Sequence, residues 1–491
     1  MKKYIYIVGL ISSLFCFVAC DETLDLDIPS EIHKLDTQDK VRAALVGCYN
    51  GMQNTMRYEW RLTELRSDNA VQGNPGSRND VNLYLNDLDM FTVLPTHPEV
   101  DKYWLAAYKN INNTNMVLAA LDIIEDGNER NAIKAEASFI RAYHYFNLVR
   151  LFGPLFIVTD RVSEEEAKSK QRSSVDLVYE QIIKDFSYAA DDEVAALPEK
   201  QSDDNLGRVS RLAAKGMLAK VYLTQGNLAE ARKLLDYIVS TGKHELLGYE
   251  EVFSINNEMN NEILFSVRYK SGGYGIGSPF ANYFAPTSSG NSIVNGDGKG
   301  WNFPSYDLMQ NAYEPNDKRK DITVNTFGNA TWVKNYVCKY LSSVSITEDG
   351  ENDWPILRYA DILLMLAEII NEQEGHVNAL PLINNVRVVH GDLPPLTMIN
   401  SQENCRLAIE AERRVEFAFE NHRLFDLIRT NRALDVLNNQ IFVTDLAFYD
   451  RFKDLKPDPA RIVQNWQLLL PIPQREIDTN NQIRISQNYG Y

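Results

Sequence analysis

The sequence predicts a predominantly α-helical protein with little β structure. Three observations support this fold class. Nine segments carry apolar residues three and four positions apart, several of these segments have residues that favour helix ends, and few segments are typical of strands. The 491 residues are 44% hydrophobic and 24% charged, which is the composition of a folded protein with a large core.

The nine predicted helices share a spacing that places one face of each helix against a core. Ser174 precedes its segment as a predicted N-cap, while Gly153 with Pro154, and Gly226 with Asn227, follow other segments as breaks. The predicted helices cover residues 41–56, 103–121, 130–151, 174–189, 210–225, 228–240, 359–372, 378–389 and 401–429.

Two consecutive segments, 210–225 and 228–240, match the paired helices of a tetratricopeptide repeat. The small, aromatic, turn and small positions of that motif are filled by Ala219, Tyr222, Gly226 and Ala231. The segments 104–121 and 364–387 show the same style of pairing less clearly, so we predict degenerate repeats. Generic antiparallel helix packing is the alternative for each pair.

The central part of the chain departs from the helical pattern. Residues 262–269 (EILFSVRY) are the best strand candidate, although their apolar residues alternate only partly. Residues 268–306 are rich in glycine and serine, and we expect them to form a long non-helical region.

The first twenty residues have the pattern of a bacterial lipoprotein signal. Two lysines come first, residues 5–18 are apolar, and the box at 17–20 (FVAC) places a small residue before a cysteine. The apolar run is shorter than the roughly 20 residues that a spanning helix needs. We expect residues 1–19 to be a signal peptide and Cys20 to carry a lipid anchor. An ordinary secretory signal with a chance cysteine is the alternative.

Charge and cysteine content narrow the function classes. The formal charge of −17 becomes −19 once the two lysines of the signal are removed, and this argues against nucleic acid as the main partner. Besides Cys20 the mature chain keeps Cys48, Cys338 and Cys405, which are scattered and lack C-x-x-C spacing. At most one disulfide can form, and we expect buried free thiols.

Eight segments, taken in order, resemble the SusD/RagB family, the surface glycan-binding lipoproteins of Bacteroidetes nutrient-uptake systems. The ending at 487–491 (QNYGY) departs from the common proline-containing ending of the family. The matching segments are ALVGCYNGMQ (44–53), ELRSDN (64–69), YWLAAYKNINNTNMVL (103–118), AEASFIRAYHYFNLVRLFGPLFIV (135–158), GRVSRLAAKGMLAKVYLTQGN (207–227), WPILRYADILLMLAEIINE (354–372), ERRVEFAFENHRLFDLIR (412–429) and LLPIPQREIDTN (469–480).

This resemblance implies an all-α SusD-like fold with four tetratricopeptide-like helical hairpins and a loop-rich ligand face. It implies one unit over residues 20–491, with a tetratricopeptide-rich half (20–245) and a loop-rich and C-terminal helical half (246–491). It also implies capture of a glycan at the cell surface and delivery to a TonB-dependent, SusC-like barrel in the outer membrane, without catalysis and without a cofactor. The acidic pair Asp21 and Glu22 after the anchor resembles the export signals of surface lipoproteins in this phylum.

Two loops carry the residues that we expect to bind the glycan. Aromatic rings stack on the apolar faces of sugars, and nearby polar groups bind the hydroxyls. Such rings can also pack against the scaffold to hold a loop, which is the alternative for each of them. In residues 268–306 the predicted contacts are Trp301, Tyr274 and Tyr283, and in residues 66–94 they are Tyr84, Arg78, Asp68 and Asn69. The resemblance implies that the motif containing Asp68 is mainly structural.

One set of carboxylates suggests an enzyme, and its spacing argues against that. Glu412, Glu416 and Glu420 lie four residues apart, and a glycosidase needs two carboxylates about 5 to 10 Å apart across a cleft. Carboxylates on successive turns of one helix point side by side instead. We expect an ion-pair network with the nearby Arg413, Arg414, Arg423 and Arg429.

Metal signatures are weak. The seven histidines are scattered without H-E-x-x-H spacing, and the region of Asn295 and Asp297 lacks the alternating acids and the distal glutamate of an EF-hand. A structural calcium elsewhere stays open. The alternative function is a lipid-anchored tetratricopeptide adaptor for protein or peptide partners, in which the rings of residues 268–306 would be buried or face the partner.

Overall fold

The computed structural model describes residues 34–73, 80–329, 332–439, 462–480 and 483–491, and helices dominate them. The helices are α1 (Gln38–Thr63), α2 (Asp80–Asp89), α3 (Pro98–Ala119), α4 (Gly127–Phe152), α5 (Glu164–Ser169), α6 (Val175–Ala190), α7 (Arg211–Thr224), α8 (Leu228–Ser240), α9 (Tyr249–Val252), α10 (Phe280–Phe284), α11 (Arg319–Thr323), α12 (Tyr359–Glu374), α13 (His376–Gly391), α14 (Gln402–Glu416), α15 (Arg423–Arg429), α16 (Ala433–Asn439) and α17 (Gln474–Thr479).

Eight of the nine predicted helices are present as continuous helices near their predicted bounds, and the ninth is not. The segment 401–429 forms two helices, α14 and α15, because the chain between them turns. Phe419 and Asn421 both have φ of 66°, which a right-handed helix cannot accommodate. The N–H of Asn421 donates to the carboxylate of Glu64, so a contact with a distant part of the chain stabilises the break.

Side chains at the predicted positions cap the helices. Ser174 Oγ accepts a hydrogen bond from the Leu177 N–H (3.4 Å) at the start of α6, which confirms the predicted N-cap. Ser210 caps α7 in the same way through the Ala213 N–H (3.1 Å). Each cap satisfies an N–H that the first turn of a helix leaves without a partner.

Four helix pairs form the scaffold: α1 with α3, α4 with α6, α7 with α8, and α12 with α13. In the third pair Ala219 and Ala231 are fully buried, and Gly226 takes the turn with φ of 75°. The predicted tetratricopeptide-like pair is therefore confirmed there. The predicted segment 364–387 lies in the fourth pair, whereas 104–121 lies largely in α3, which packs on α1.

The β structure consists of two-stranded antiparallel ladders: β1 (Ala70–Val71) with β3 (Phe303–Pro304), β2 (Ile263–Val267) with β6 (Trp354–Arg358), and β4 (Val324–Asn329) with β5 (Trp332–Val337). The predicted strand is β2. All five of its residues are buried, which explains why its apolar residues do not alternate clearly.

A hydrophobic core extends through both halves of the chain. One cluster of buried side chains includes Trp104 of α3, Phe265 of β2 and Trp354 of β6. Cys48 and Cys405 are buried free thiols, as expected, and Cys338 is a half-buried one. In the described ranges, every helix is too short or too polar to cross a lipid bilayer.

Candidate functional site

The two regions that were predicted as ligand-binding loops meet in the structure, although residues 80–89 of the second region form the helix α2 instead of a loop. β1 and β3 pair antiparallel, so that Val71 faces Phe303. Gly73 continues this contact, because a Cβ at its position would lie 2.5 Å from the Phe303 ring and 2.6 Å from the carbonyl oxygen of Gly300. Only glycine permits so close an approach. We call this meeting point the loop junction.

Trp301 is partly exposed at the loop junction, and its ring packs against that of Tyr283. The ring centroids are 4.6 Å apart and the planes are tilted by 47°. The N–H of Trp301 donates to the carbonyl of Tyr283 (3.0 Å), which holds the loop against α10. Tyr283 is itself buried, so its ring supports the indole of Trp301 and presents little surface to a ligand.

Arg61 of α1 packs among the same rings. Its Cζ lies 5.0 Å from the ring centroid of Trp301, 5.3 Å from that of Tyr58 and 5.5 Å from that of Tyr283. These are cation–π contacts, and the Arg61 side chain is almost fully buried. The sequence did not single out Arg61 or Tyr58, because they lie in a helix more than 200 residues before residues 268–306, which we call the aromatic loop.

A buried carboxylate balances this guanidinium. Glu99 of α3 forms an ion pair with Arg61, and its second oxygen accepts a hydrogen bond from Lys102 Nζ (2.9 Å). Burial would raise the pKa of Glu99, but the two cations outweigh burial and lower it. The support of Trp301 is therefore a fixed, charged framework rather than a flexible loop.

Tyr274 lies on a separate tip of the same region and is 72% exposed. Its loop is closed by a bridge between Lys270 and Ile276. Asp349 accepts hydrogen bonds from the N–H groups of Gly272 (2.7 Å) and Gly273 (2.9 Å), which anchors the tip to the segment before β6. Tyr274 thus presents an open ring from an ordered loop.

Most rings of the aromatic loop, residues 268–306, face the core instead of solvent. Tyr269, Phe280, Phe284 and Phe303 are at most 6% exposed, and Phe280 and Phe284 belong to the short helix α10. For these four rings the alternative interpretation, packing against the scaffold, is confirmed. The expectation that the whole region is non-helical is corrected by α10.

Asp68 and Asn69 were predicted as ligand contacts, and the structure corrects this. Asp68 forms ion pairs with Arg423 (2.7 Å) and Arg414 (3.1 Å), and Asn69 Oδ1 accepts from Arg414 Nε (2.9 Å). Both residues are at most 2% exposed. Their side chains join the start of β1 to α14 and α15, as the structural role of this motif implies.

Three predicted residues remain: Tyr84, Arg78 and the lipidation site Cys20. Tyr84 of α2 packs edge-on against the ring of His97, with centroids 5.5 Å apart, and it is partly exposed. Arg78 and the lipidation site Cys20 lie outside the described residues.

The carboxylates of α14 and the following turn form ion pairs, with partners other than those expected. Glu412 pairs with Arg319, while Glu416 and Glu420 both pair with Arg358 (2.8 Å each). The predicted partners form ion pairs with other acids. Arg413 pairs with Asp361, Arg414 and Arg423 pair with Asp68, and Arg429 pairs with Glu368 and Asp426. All three glutamates are at most 4% exposed, which leaves no cleft for a sugar between them.

A group with the composition of a metal site also proves to be an ion-pair cluster. Glu262, His390 and Glu416 place three donor atoms within 4.8 Å of one another, all of them buried. The two ring nitrogens of His390 contact the two carboxylates (3.0 and 2.9 Å), and Arg358 binds both carboxylates as well. Because cations already occupy these carboxylates, the group does not fit a metal ion.

The weak calcium pattern at Asp297 is explained by turn geometry. Its Oδ1 accepts hydrogen bonds from the N–H groups of Gly290 (2.9 Å) and Gly298 (2.8 Å), and its φ is 67°. This carboxylate therefore organises the loop through backbone amides.

Comparison with known proteins places the chain in a family. A model described as "SusD family" matches residues 292–491, and one described as "Starch-binding associating with outer membrane" matches residues 21–223. The chain belongs to the SusD/RagB family. Among SusD/RagB relatives, SusD-like proteins P2 and P25 of Formosa agariphila are each 28% identical to it over 100% of both chains.

Solved structures of SusD-like proteins have the same fold. Surface glycan-binding protein A from Bacteroides fluxus superposes with a TM-score of 0.78 at 22% identity, covering 93% of this chain and 100% of that one. A laminarin binding SusD-like protein gives 0.75 at 24% identity, with 93% and 100% covered. Surface glycan-binding protein A from Bacteroides thetaiotaomicron in complex with laminarihexaose gives 0.75 at 21%, with 92% and 99% covered. The predicted all-α SusD-like fold is confirmed.

Proposed function

We propose that this protein is a cell-surface glycan-binding lipoprotein. It captures an oligosaccharide or polysaccharide and delivers it to a TonB-dependent, SusC-like transporter in the outer membrane, and Cys20 carries its lipid anchor. Membership of the SusD/RagB family supports this function, as do the names of its structural neighbours, of which one binds laminarin and one holds laminarihexaose.

The observation that carries the proposal is the partly exposed Trp301 on a rigid support. Its ring rests on Tyr283 and Arg61, and Arg61 is itself paired with the buried Glu99. When a sugar ring stacks on a preorganised indole, the protein loses little conformational entropy on binding. The open ring of Tyr274 offers a second stacking surface.

A gel-retardation experiment tests glycan binding. The protein lacking residues 1–20 is run through native gels cast with a panel of polysaccharides, and at least one should retard it. Trp301→Ala should weaken this binding about tenfold or more. Truncating a tryptophan that is central to a binding surface commonly costs about 2 kcal/mol or more of binding free energy.

Tyr489→Ala is the matched control, since that ring is 87% exposed and lies in the C-terminal tail. It should bind as the unsubstituted protein does. Retardation that survives Trp301→Ala would contradict the assignment of the site, and absence of retardation by every polysaccharide would contradict the proposed function.

We propose further that binding occurs without hydrolysis. Glu412, Glu416 and Glu420 are engaged by buried cations, so none of them is placed to protonate a leaving group. Incubation of a retarding polysaccharide with the protein should release no reducing ends. Release of reducing ends that Glu416→Gln abolishes would show an enzyme.

The anchor and the transporter need separate tests. Cells that express the full chain are fed radiolabelled palmitate, which should label the protein and should fail to label Cys20→Ala. Solubilised outer membranes should yield a barrel transporter together with the labelled protein. Isolation of the protein alone, from gently solubilised membranes, would contradict the delivery step.

The alternative, a tetratricopeptide adaptor for protein partners, is favoured by the burial of most rings in residues 268–306. It predicts that partner binding survives Trp301→Ala and that polysaccharides do not compete with the partner. Competition by a polysaccharide that retards the protein would decide for glycan capture.

A further inference from the structure

A groove of about 590 Å³ lies between α1 and α3, next to the loop junction. This volume falls within the roughly 300–1,000 Å³ of typical ligand pockets. Tyr58 connects the two places. Its ring lines the groove and lies 5.3 Å from Cζ of Arg61, which in turn lies 5.0 Å from the ring of Trp301. A polymer that stacks on Trp301 can therefore continue into the groove.

Two glycines that lie four residues apart inside α1 form part of the lining of the groove. A glycine in a helix interior costs about 1 kcal/mol relative to alanine, so each needs a reason. At Gly51 a Cβ would lie 2.1 Å from Oδ1 of Asn110, and packing against α3 explains this glycine. At Gly47 nothing lies within 4 Å of the Cβ position. Packing gives no reason for Gly47, and the empty space beside it is the groove.

The groove is positively charged, although the whole chain has a formal charge of −17. Arg57, Lys102 and Lys109 line it, and no carboxylate does so among the described residues. Lys102 is paired with Glu99 (2.9 Å), whereas Arg57 and Lys109 have no carboxylate at ion-pair distance in the part of the chain that the structure describes. Unmatched cations in a concave surface attract anions.

Polar amides complete the groove. Asn110 is 1% exposed, and its Nδ2 donates to the carbonyl of Cys48 (2.9 Å). Its Oδ1 has no hydrogen-bond partner within the described ranges, and an unsatisfied buried acceptor costs about 1–3 kcal/mol. Asn50 and Asn54 stand exposed on the same lining. The exposed amides of Asn50 and Asn54 can pair with hydroxyl groups, so the lining suits a ligand that carries both hydroxyls and negative charges.

We infer that the groove binds the acidic groups of a glycan whose rings stack on Trp301, so that the ligand is a polysaccharide bearing carboxylates or sulfates. This inference rests on the proposed function and names its ligand class. Arg57 and Lys109 donate charge-assisted hydrogen bonds to the anions, which are stronger than bonds between neutral groups. The open space at Gly47 admits the chain.

The test compares four kinds of polymer in native gels and by titration calorimetry. The panel contains a polyuronate, a sulfated polysaccharide and neutral polysaccharides, with inorganic polyphosphate as a polyanion that lacks sugar. We expect the polyuronate, the sulfated polysaccharide or both to bind more tightly than any neutral member. Raising the salt from about 0.05 M to about 0.5 M should weaken that binding, because salt screens exposed charges.

Two groove variants identify the binding surface. Arg57→Gln with Lys109→Gln should weaken binding of the acidic polysaccharide about tenfold or more. Lys184→Gln with Lys318→Gln removes the same charge from exposed lysines on other elements and should change binding less than about twofold. Gly47→Leu fills the groove without changing charge and should weaken binding, whereas Gly47→Ala should not.

The outcomes separate this inference from the proposed function. Binding of neutral polysaccharides alone, lost with Trp301→Ala, would overturn the inference and leave the proposed function standing. Acidic binding that is unchanged in both groove variants, or matched by polyphosphate, would overturn the inference as well. If no polysaccharide of any class binds, both fail.

Discussion

His390 is held as a cation between two buried carboxylates. Its ring nitrogens donate to Glu416 (2.9 Å) and Glu262 (3.0 Å). Burial opposes the charge, but the carboxylates outweigh burial and raise the pKa of His390 to about 9. The unfolded pKa is about 6.5, so this contribution to stability is complete below about pH 6.5 and is lost as the pH rises through about 9.

We predict that the free energy of unfolding decreases between about pH 6.5 and about pH 9, by up to about 3 kcal/mol from this residue. Urea denaturation at a series of pH values measures it. His390→Gln should flatten the decrease, and His376→Gln at the start of α13 should leave it unchanged. A decrease of the same size in His390→Gln would contradict the assignment.

Asp68 is a buried carboxylate whose ion pairs lie within the protein. Its carboxylate binds Arg423 through two hydrogen bonds (2.7 and 2.8 Å), and the two residues are 355 positions apart. Burial raises the pKa of Asp68, but Arg423 and Arg414 outweigh burial and lower it. Removal of Asp68 leaves Arg423 buried with its remaining carboxylate partner, Glu410, at the longer distance of 3.5 Å.

Asp68→Ala should therefore destabilise the protein by about 3–5 kcal/mol, measured by urea denaturation. Asp435→Ala removes a surface pair with Arg432, in which the aspartate is 60% exposed, and should change stability by less than about 1 kcal/mol. If Asp68 contacted ligand, glycan affinity of the folded variant would fall; we expect the affinity to stay within about twofold, because the side chain is enclosed.

At the scale of elements, α1 carries both packing and binding demands. Its two interior glycines differ in their surroundings, since Asn110 fills the space beside Gly51 and nothing fills the space beside Gly47. Alanine is a better helix former than glycine. The two substitutions to alanine should therefore have opposite effects on stability.

Gly47→Ala should raise the free energy of unfolding by about 0.5–1 kcal/mol. Gly51→Ala should lower it by about 1–3 kcal/mol, because the new methyl group collides with the Asn110 amide. Thermal and urea denaturation of the two variants measure the difference. Equal effects of the two substitutions would show that helix propensity alone governs these positions.

At the scale of the whole molecule, the C-terminal tail closes the structure onto α4. Asn488 Nδ2 donates to the carbonyls of Phe152 (2.9 Å) and Leu470 (2.7 Å), and its Oδ1 accepts from Arg172 (2.6 Å). The tail ending QNYGY thus has a structural task, which the sequence did not indicate.

Deletion of residues 487–491 should lower the free energy of unfolding by about 2–4 kcal/mol, because buried carbonyls lose their donor. The midpoint temperature of thermal unfolding should fall by a few degrees. Tyr489→Ala, which removes an exposed ring from the same tail, should leave the midpoint unchanged. Equal midpoints for the truncated and full chains would contradict this role.

The sequence by itself determined the helical fold, the order of its helices and the aromatic loop, because these depend on residues close together in the chain. Apolar spacing repeats every three or four residues, and caps such as Ser174 act within one turn. The family resemblance added the architecture. Trp301 was predicted as a ligand contact for the same reason, as an aromatic residue directly after a glycine.

Only the tertiary structure decided what surrounds Trp301 and what encloses Asp68. Arg61 reaches Trp301 from a helix near the start of the chain and is paired there with Glu99, and Arg423 reaches Asp68 from near the end of the chain. No local pattern encodes such contacts, because they depend on how distant helices and loops pack. The positively charged groove between α1 and α3 arises in the same way, from side chains that become neighbours only when the two helices come together.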